Sequence, residues 1–326
     1  MIRTGPTDVE QYKDRQRRQW DRVAAGWEKW WQTIENGAHH IDDRLVDLAQ
    51  VAPGKRVLDI ATGIGEPALT AASRVGSAGR VVATDISKQM LDIARIRART
   101  SGLTNVEFLE VDAQHLDFPD RSFDAILCRW GITSLPNYSN LLSKIKRMLT
   151  PNGAFATSVW DEASRSPLTS IAITVAQEMF QSAPPRLDST HEVPEDSLES
   201  VMIRAGFTDV RTEKLTVTLE LASTEAFTQY LVDVSPAVAA LVSDQPPVRQ
   251  AEYQHLLAKS SRVMRRLMGA FAFTMYLFVR SDGNEYLRSF HSGRWRRRAL
   301  RGQVARKLVE ASARAKLRRA LPTNTG

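Results

Sequence analysis

Two glycines and three aspartates in this chain are spaced like a ligand-binding set. Gly63 and Gly65 lie in "RVLDIATGIGEPAL" (56–69), after an apolar, β-prone run and ahead of a helix-like one. Glycine opens backbone angles closed to other residues and lets a ligand approach the chain. The helix start beyond it adds a dipole and free N–H groups. Asp59 sits inside the strand that leads into this turn, Asp85 ends "VVATD", and Asp112 stands at the end of the third strand, in "VEFLEVDA". Each aspartate taken singly reads as a cap or turn residue. Three at successive strand ends, with the glycines after the first, form a far more specific pattern.

Two cofactor classes compete for that pattern. Ala68 completes a G-x-G-x-x-A, and Asp85 stands 20 residues past Gly65, as a dinucleotide site requires. Asp59 argues against it. A buried carboxylate is costly unless something pairs with it; a pyrophosphate would repel it and an ammonium group would justify it. S-adenosylmethionine carries an ammonium and no phosphate. On this reading Asp59 serves the amino-acid end, Asp85 the ribose hydroxyls, and Asp112 the adenine amino group with the Ala113 N–H beside it. Ala61, Thr62, Ile86, Met90 and Cys128 complete the expected cofactor set.

The elements that must position these residues alternate between two periods. Strands are expected at 56–60, 80–84, 106–110, 123–128 and 154–159, with helices at 66–75, 88–100 and 138–149. Such alternation predicts an α/β fold: a Rossmann-like, doubly wound, mostly parallel sheet covered by helices, with ligands at the carboxyl ends of its strands. Upstream, 8–36 reads as a helix holding four of the seven tryptophans (Trp20, Trp27, Trp30, Trp31), either packed on the core or closing a pocket, and 41–50 as a second helix ended by "APG". Downstream come a loose helical segment with Pro-rich loops at 160–194, a helix at 196–205, a strand around 215–219 and helical runs over 224–266. The expected division is an N-terminal helical lid (1–50), a cofactor-binding core (51–222) with a cap inserted at about 160–194, a helical extension with a candidate last strand "FAFTMYLFVR" (223–280), and a basic tail (281–326).

"VLDIATGIGEPAL", "VVATDIS", "VDAQHLDFPDRSFDAILCRWGITSLPN" and "MLTPNGAFA" resemble the successive motifs of class I S-adenosylmethionine-dependent methyltransferases, and most of all the group containing the ubiquinone/menaquinone-biosynthesis C-methyltransferases. "WDRVAAGWE" (20–28) is similar to that group's F-D-x-x-A-x-x-Y-D segment, with Trp20, Trp27 and Glu28 in place of Phe, Tyr and Asp. The resemblance spans about 20–220. It implies a seven-stranded sheet with an antiparallel last strand and methyl transfer to a small molecule, a carbon or oxygen of a quinol, phenol or similar metabolite. It also implies that Asp59, Gly63 and Gly65 hold the methionine end, and that Cys128 and Arg129 end the fourth strand beside the reacting centre. Trp27, Trp31, Arg129 and Tyr138 are the residues expected on the acceptor's side.

A sulfonium methyl is already activated, so positioning and exclusion of water should supply most of the rate. A base is needed where the acceptor arrives protonated. His39 and His40 are the candidates, with His115 and Tyr138 behind them. No Cys/His cluster has metal-ligand spacing, so no metal is expected.

Charge places the partners. The chain is +7 overall, yet 262–326 carry 14 Arg and 2 Lys against three acids, which leaves residues 1–261 at −6. The acidic body gives no reason to expect nucleic acid as substrate. The tail, with Leu300, Val304 and Leu308 on one face of an arginine-rich run, reads as a disordered extension, a helix on anionic lipid, or a nucleic-acid arm; no aromatic ladder supports the last. One cysteine, no apolar leader and no apolar run long enough for a membrane span fit a soluble, cytoplasmic protein. Two alternatives stay open from sequence: a nicotinamide-dependent oxidoreductase, which Asp59 and Asp112 disfavour, and a cofactor-binding protein without catalysis.

Overall fold

The computed structural model describes residues 6–135, 138–160, 167–180, 197–268 and 271–280. The basic tail and residues 161–166 and 181–196 lie outside the described residues. The chain opens with helix α1 (Pro6–Leu48) and then alternates: β1 (Arg56–Ile60), α2 (Ala68–Val75), β2 (Arg80–Asp85), α3 (Lys88–Thr100), β3 (Val106–Glu110), β4 (Phe123–Arg129), α4 (Tyr138–Met148) and β5 (Leu149–Trp160). Helices α5 (Pro167–Phe180) and α6 (Leu198–Arg204) lead to β6 (Val210–Leu219); α7 (Thr224–Val234), α8 (Pro236–Val242) and α9 (Pro247–Met268) lead to β7 (Phe271–Arg280).

Among the described residues seven strands form one sheet in the order β3-β2-β1-β4-β5-β7-β6. The first five run parallel, and β7 pairs antiparallel with both β5 and β6. The chain reverses direction of travel across the sheet between β1 and β4, so the carboxyl ends of β1, β2 and β4 flank the crevice where such folds bind ligands. The strands are apolar on both faces, as helix-covered parallel strands must be: in β1 and β2 every residue after the first is buried. Leu127 and Ala125 face one layer and Ile126 and Cys128 the other.

The N-terminal region departs from expectation. In place of two helices divided near "NGAHH", α1 is continuous through Gly37, His39 and His40. Gly37 is there because of its neighbour: a Cβ at this position would stand 2.6 Å from the Thr218 carbonyl oxygen of β6. Gly26 is similar, with the Asp233 carbonyl oxygen 2.1 Å from where its Cβ would be. These glycines let α1 lie directly on other backbones, which outweighs their cost inside a helix. Of the expected cap over 160–194, the segments 161–166 and 181–194 lie outside the described residues. Its described part, α5, packs on α8 and α9, with Tyr253 Oη donating to the Ala172 carbonyl at 3.1 Å. Among the described residues no helix is long and apolar enough to cross a membrane.

Candidate functional site

The carboxyl ends of β1, β2, β3 and β4 meet helix α1 around a cavity of about 210 Å³. Its floor is the turn after β1. Gly63 adopts φ +55°, and a Cβ there would point into open space. Its N–H donates to Asp85 Oδ2 at 2.8 Å, and the Ser87 N–H donates to Asp85 Oδ1 at 2.9 Å. Burial raises the Asp85 carboxyl above the usual range, against the pull of the Ser87 and Gly63 amides. These amides fix the carboxylate's orientation and leave a second lone pair on each oxygen for a ligand. Asp112 is set similarly: its Oδ1 accepts from the Gln114 N–H at 2.8 Å, and its Oδ2 pairs with Lys13 Nζ at 2.7 Å.

Of the expected cofactor residues, Ala61, Thr62, Gly63, Asp85, Ile86, Met90, Asp112 and Ala113 line this cavity. Asp59, Gly65 and Cys128 do not. Asp59 is fully buried beneath the turn, where its Oδ2 accepts from the Ala68 N–H at the start of α2 at 3.1 Å. Burial pushes its carboxyl up to about 7, against the nearby Thr62 hydroxyl. Asp59 thus lies beneath the turn, tied to the start of α2, and is not itself part of the cavity wall. Gly65 faces Leu69 and Ala94. Cys128 points into the core, and burial raises its thiol to about 12; the next residues, Arg129, Trp130 and Gly131, reach the wall instead.

On the acceptor's side Trp27 and Arg129 are at the cavity, and Trp31 and Tyr138 are not. Trp31 lies on the outside of α1 with the Arg97 guanidinium 4.9 Å from its ring centroid. Tyr138 is packed into the core below α4. The expectation of a histidine base also fails. His39 is exposed on α1 with Nδ1 3.1 Å from the Glu35 carbonyl oxygen; His40 stands edge-on to it, and neither lines the cavity. Because α1 does not break at 36–40, there is no loop to carry them inward. His115 is an exposed neighbour of Asp112, 3.4 Å from its Oδ2.

Trp20 of the tryptophan-rich helix lines the cavity, as do Glu66, directly after Gly65, and Tyr12, Lys13, Trp130 and Trp160. Trp130 stacks on Trp160 at 4.6 Å between centroids and tilts against Trp27 at 6.2 Å, which in turn meets Trp20 at 6.2 Å. Trp130 has φ +63°, a strained backbone for a bulky residue of the kind found at functional sites. Behind this wall Arg129 is held by two acids of α1: Nη1 is 2.7 Å from Asp42 Oδ2, and Nη2 is 3.0 Å from Glu35 Oε1. Burial works against an ionised Glu35, but Arg129 holds its carboxyl below the usual range; burial drives Asp42 well above it despite the same guanidinium. The "G-I-G-E" run offered a signal for Glu66. Trp130 and Trp160 offered none, because strand-end tryptophans read equally well as core.

These residues fit S-adenosylmethionine. Gly63 leaves an open cradle, Asp85 and Asp112 are oriented acceptors on two successive strand ends, and the buried Thr62 hydroxyl is on the wall. Sequence comparison agrees. A family model described as a methyltransferase domain matches residues 57–153. The ubiquinone/menaquinone biosynthesis C-methyltransferase of Pseudomonas fluorescens (strain SBW25) is 31% identical over 211 residues, covering 60% of this chain and 81% of that protein. Its counterpart from Ectopseudomonas mendocina gives the same figures. Among solved structures, a SAM-dependent methyltransferase from Aquifex aeolicus is 22% identical with a TM-score of 0.39, over 55% of this chain and 83% of that one. Phosphoethanolamine N-methyltransferase 2 of Haemonchus contortus, solved with S-adenosylhomocysteine, is 20% identical with a TM-score of 0.45, over 74% and 51%. With its strand-end acids, its glycine cradle and its relationship to the C-methyltransferases, this chain belongs to the class I S-adenosylmethionine-dependent methyltransferases.

Proposed function

We propose that this methyltransferase modifies a carbon or oxygen of a flat, quinol- or phenol-like small molecule, with α1 as the lid of the site. The observation that carries this reading is the continuous wall Trp20–Trp27–Trp130–Trp160 in the same cavity as the cofactor residues. Aromatic faces hold planar rings by stacking and large apolar contact. The relatives named for ubiquinone and menaquinone biosynthesis support the same acceptor class. Nucleic acid is a poor partner for a body of net charge −6.

When bound, S-adenosylmethionine supplies a methyl group on a positively charged sulfur. The chain's own part is placement. Asp85 and Asp112 orient the nucleoside end, and the tryptophans present the acceptor's ring. Helix α1 keeps water out through ties to several strand ends: Tyr12 Oη donates to the Ser134 carbonyl at 2.8 Å, Lys13 pairs with Asp112, and Ser87 Oγ donates to Asp21 Oδ1 at 2.6 Å. Such positioning alone supplies a large share of a displacement's rate.

The test incubates the protein with S-adenosylmethionine and a panel of hydroquinones, naphthoquinols, phenols and amines, and reads products by mass spectrometry. Methylated quinols or phenols are expected. Trp130→Ala should cut turnover by at least about tenfold while S-adenosylhomocysteine still binds. Methylation confined to the amines would overturn the acceptor class.

A further inference from the structure

The acids behind the glycine turn outnumber their cations. Asp42 of α1 and Asp59 of β1 are buried, Glu35 of α1 and Glu66 before α2 are largely so, and two guanidiniums, Arg129 and Arg97, serve the four: Glu66 acts on both Asp42 and Asp59, and Glu35 on Asp42 and Glu66. Arg129 is committed to Glu35 and Asp42, and Arg97 divides itself between the Ile64 carbonyl at 2.6 Å and Glu66 Oε1 at a long 3.4 Å. Buried carboxylates in excess of their counterions must take up protons or find another cation. Burial, with Glu35 next in weight, raises the Glu66 carboxyl, and burial raises Asp42 and Asp59 too.

Glu66 is the member of this group that lines the cavity. Its Oε2 accepts from the Thr70 N–H and hydroxyl at 3.2 and 2.8 Å, while Oε1 has the long Arg97 contact. Also on the wall is the buried Thr62 hydroxyl, which is close enough to Asp59 beneath the turn to act on its carboxyl. We propose that Glu66, with the Thr62 hydroxyl on the same wall, receives the ammonium group at the methionine end of the cofactor, and that this cation completes the charge of the buried carboxyl group. The assignment moves that role from Asp59 beneath the turn to Glu66 on the wall. It rests on the cofactor assignment above. Its corollary is proton linkage: the incoming cation favours ionised carboxylates, so a proton leaves the cluster for solvent.

The experiment is isothermal titration near neutral pH, in buffers of different ionisation enthalpy, with two probes. S-adenosylhomocysteine has the ammonium group; 5′-methylthioadenosine keeps the nucleoside and lacks the amino-acid end. In the wild type, the first should release protons on binding and the second none. Glu66→Gln keeps the side-chain shape and an acceptor for Thr70. It should weaken S-adenosylhomocysteine by roughly 30-fold or more, leave methylthioadenosine within about threefold, and reduce the proton release. Equal losses for both probes, or a loss below about threefold for the first, would overturn the proposal. If the variant does not fold, wild-type proton release decides: equal or zero release for both probes overturns it. Wild-type protein that binds neither probe contradicts the cofactor assignment itself, which is a distinct failure.

Discussion

The floor and the roof of the cavity are built by opposite strategies. The floor is short-range: a turn, three strand ends and their own amides, with Asp85 and Asp112 each oriented by N–H groups nearby in sequence or on the adjacent strand. The roof is long-range. Helix α1 is attached by single contacts to distant points: Tyr12 to Ser134, Lys13 to Asp112, Trp27 Nε1 to the Val234 carbonyl at 3.0 Å, and Glu35 and Asp42 to Arg129. A floor of backbone hydrogen bonds tolerates side-chain change; a roof of isolated ties and buried charges does not.

The largest break in that contrast should come from Arg129, which joins floor to roof. Arg129→Met leaves Glu35 and Asp42 buried without their cation, and breaking such a group costs about 3–5 kcal/mol. Urea denaturation should show that loss, and a change under 1 kcal/mol would mean the cluster relaxes into water. Next is the pH dependence beneath the floor. With its carboxyl raised to about 7, Asp59 in the folded state keeps a proton that the unfolded chain has already released. The stability this gives is fully present below the unfolded pKa near 4 and declines as pH rises toward 7, by about 4 kcal/mol at most. Asp42 and Glu66, also raised, act with the same sign, and Glu35, held low, opposes them. Asp59→Asn should flatten that slope in unfolding curves taken across the window; an unchanged slope would remove Asp59 as its source.

A smaller effect tests the packing of the roof. Gly37→Val drives a side chain into the Thr218 carbonyl and should cost about 1–3 kcal/mol, read as a lower Tm; an unchanged Tm would show that α1 shifts freely over β6. The smallest is expected at Ser87, which caps α3 by accepting from the Met90 N–H at 3.2 Å and donates to Asp21 of the roof. Ser87→Ala should cost about 1 kcal/mol. A loss beyond 3 kcal/mol would mean the Asp21 tie carries more of the roof than its single bond suggests.

The same contrast explains what the sequence disclosed. The parallel strands and the cradle were legible because period, glycine spacing and strand-end acids are local signals. Asp59 was visible as an unusual buried acid, but its partner, the Ala68 amide, belongs to the turn's own folding and keeps the carboxyl beneath the wall rather than on it. Gly37 looked like a break because its reason, the Thr218 carbonyl, lies far along the chain. That misreading opened a false loop at His39 and His40 and with it a false base. Trp31 and Tyr138 erred similarly: residue type suggested the pocket, and helix phase turned one outward onto Arg97 and the other into the core. The pairing of Lys13 with Asp112 has no sequence signature at all.

The central claim is that one cavity, with a short-range floor and an α1 roof, holds S-adenosylmethionine. Hydrogen exchange followed by mass spectrometry, with and without S-adenosylhomocysteine, tests it most directly. The account predicts added protection at 61–65, 85–87 and 112–114 together with residues 12–27 of α1, and none with NADH. Protection by NADH over the same segments, or protection of the floor with α1 unchanged, would contradict it.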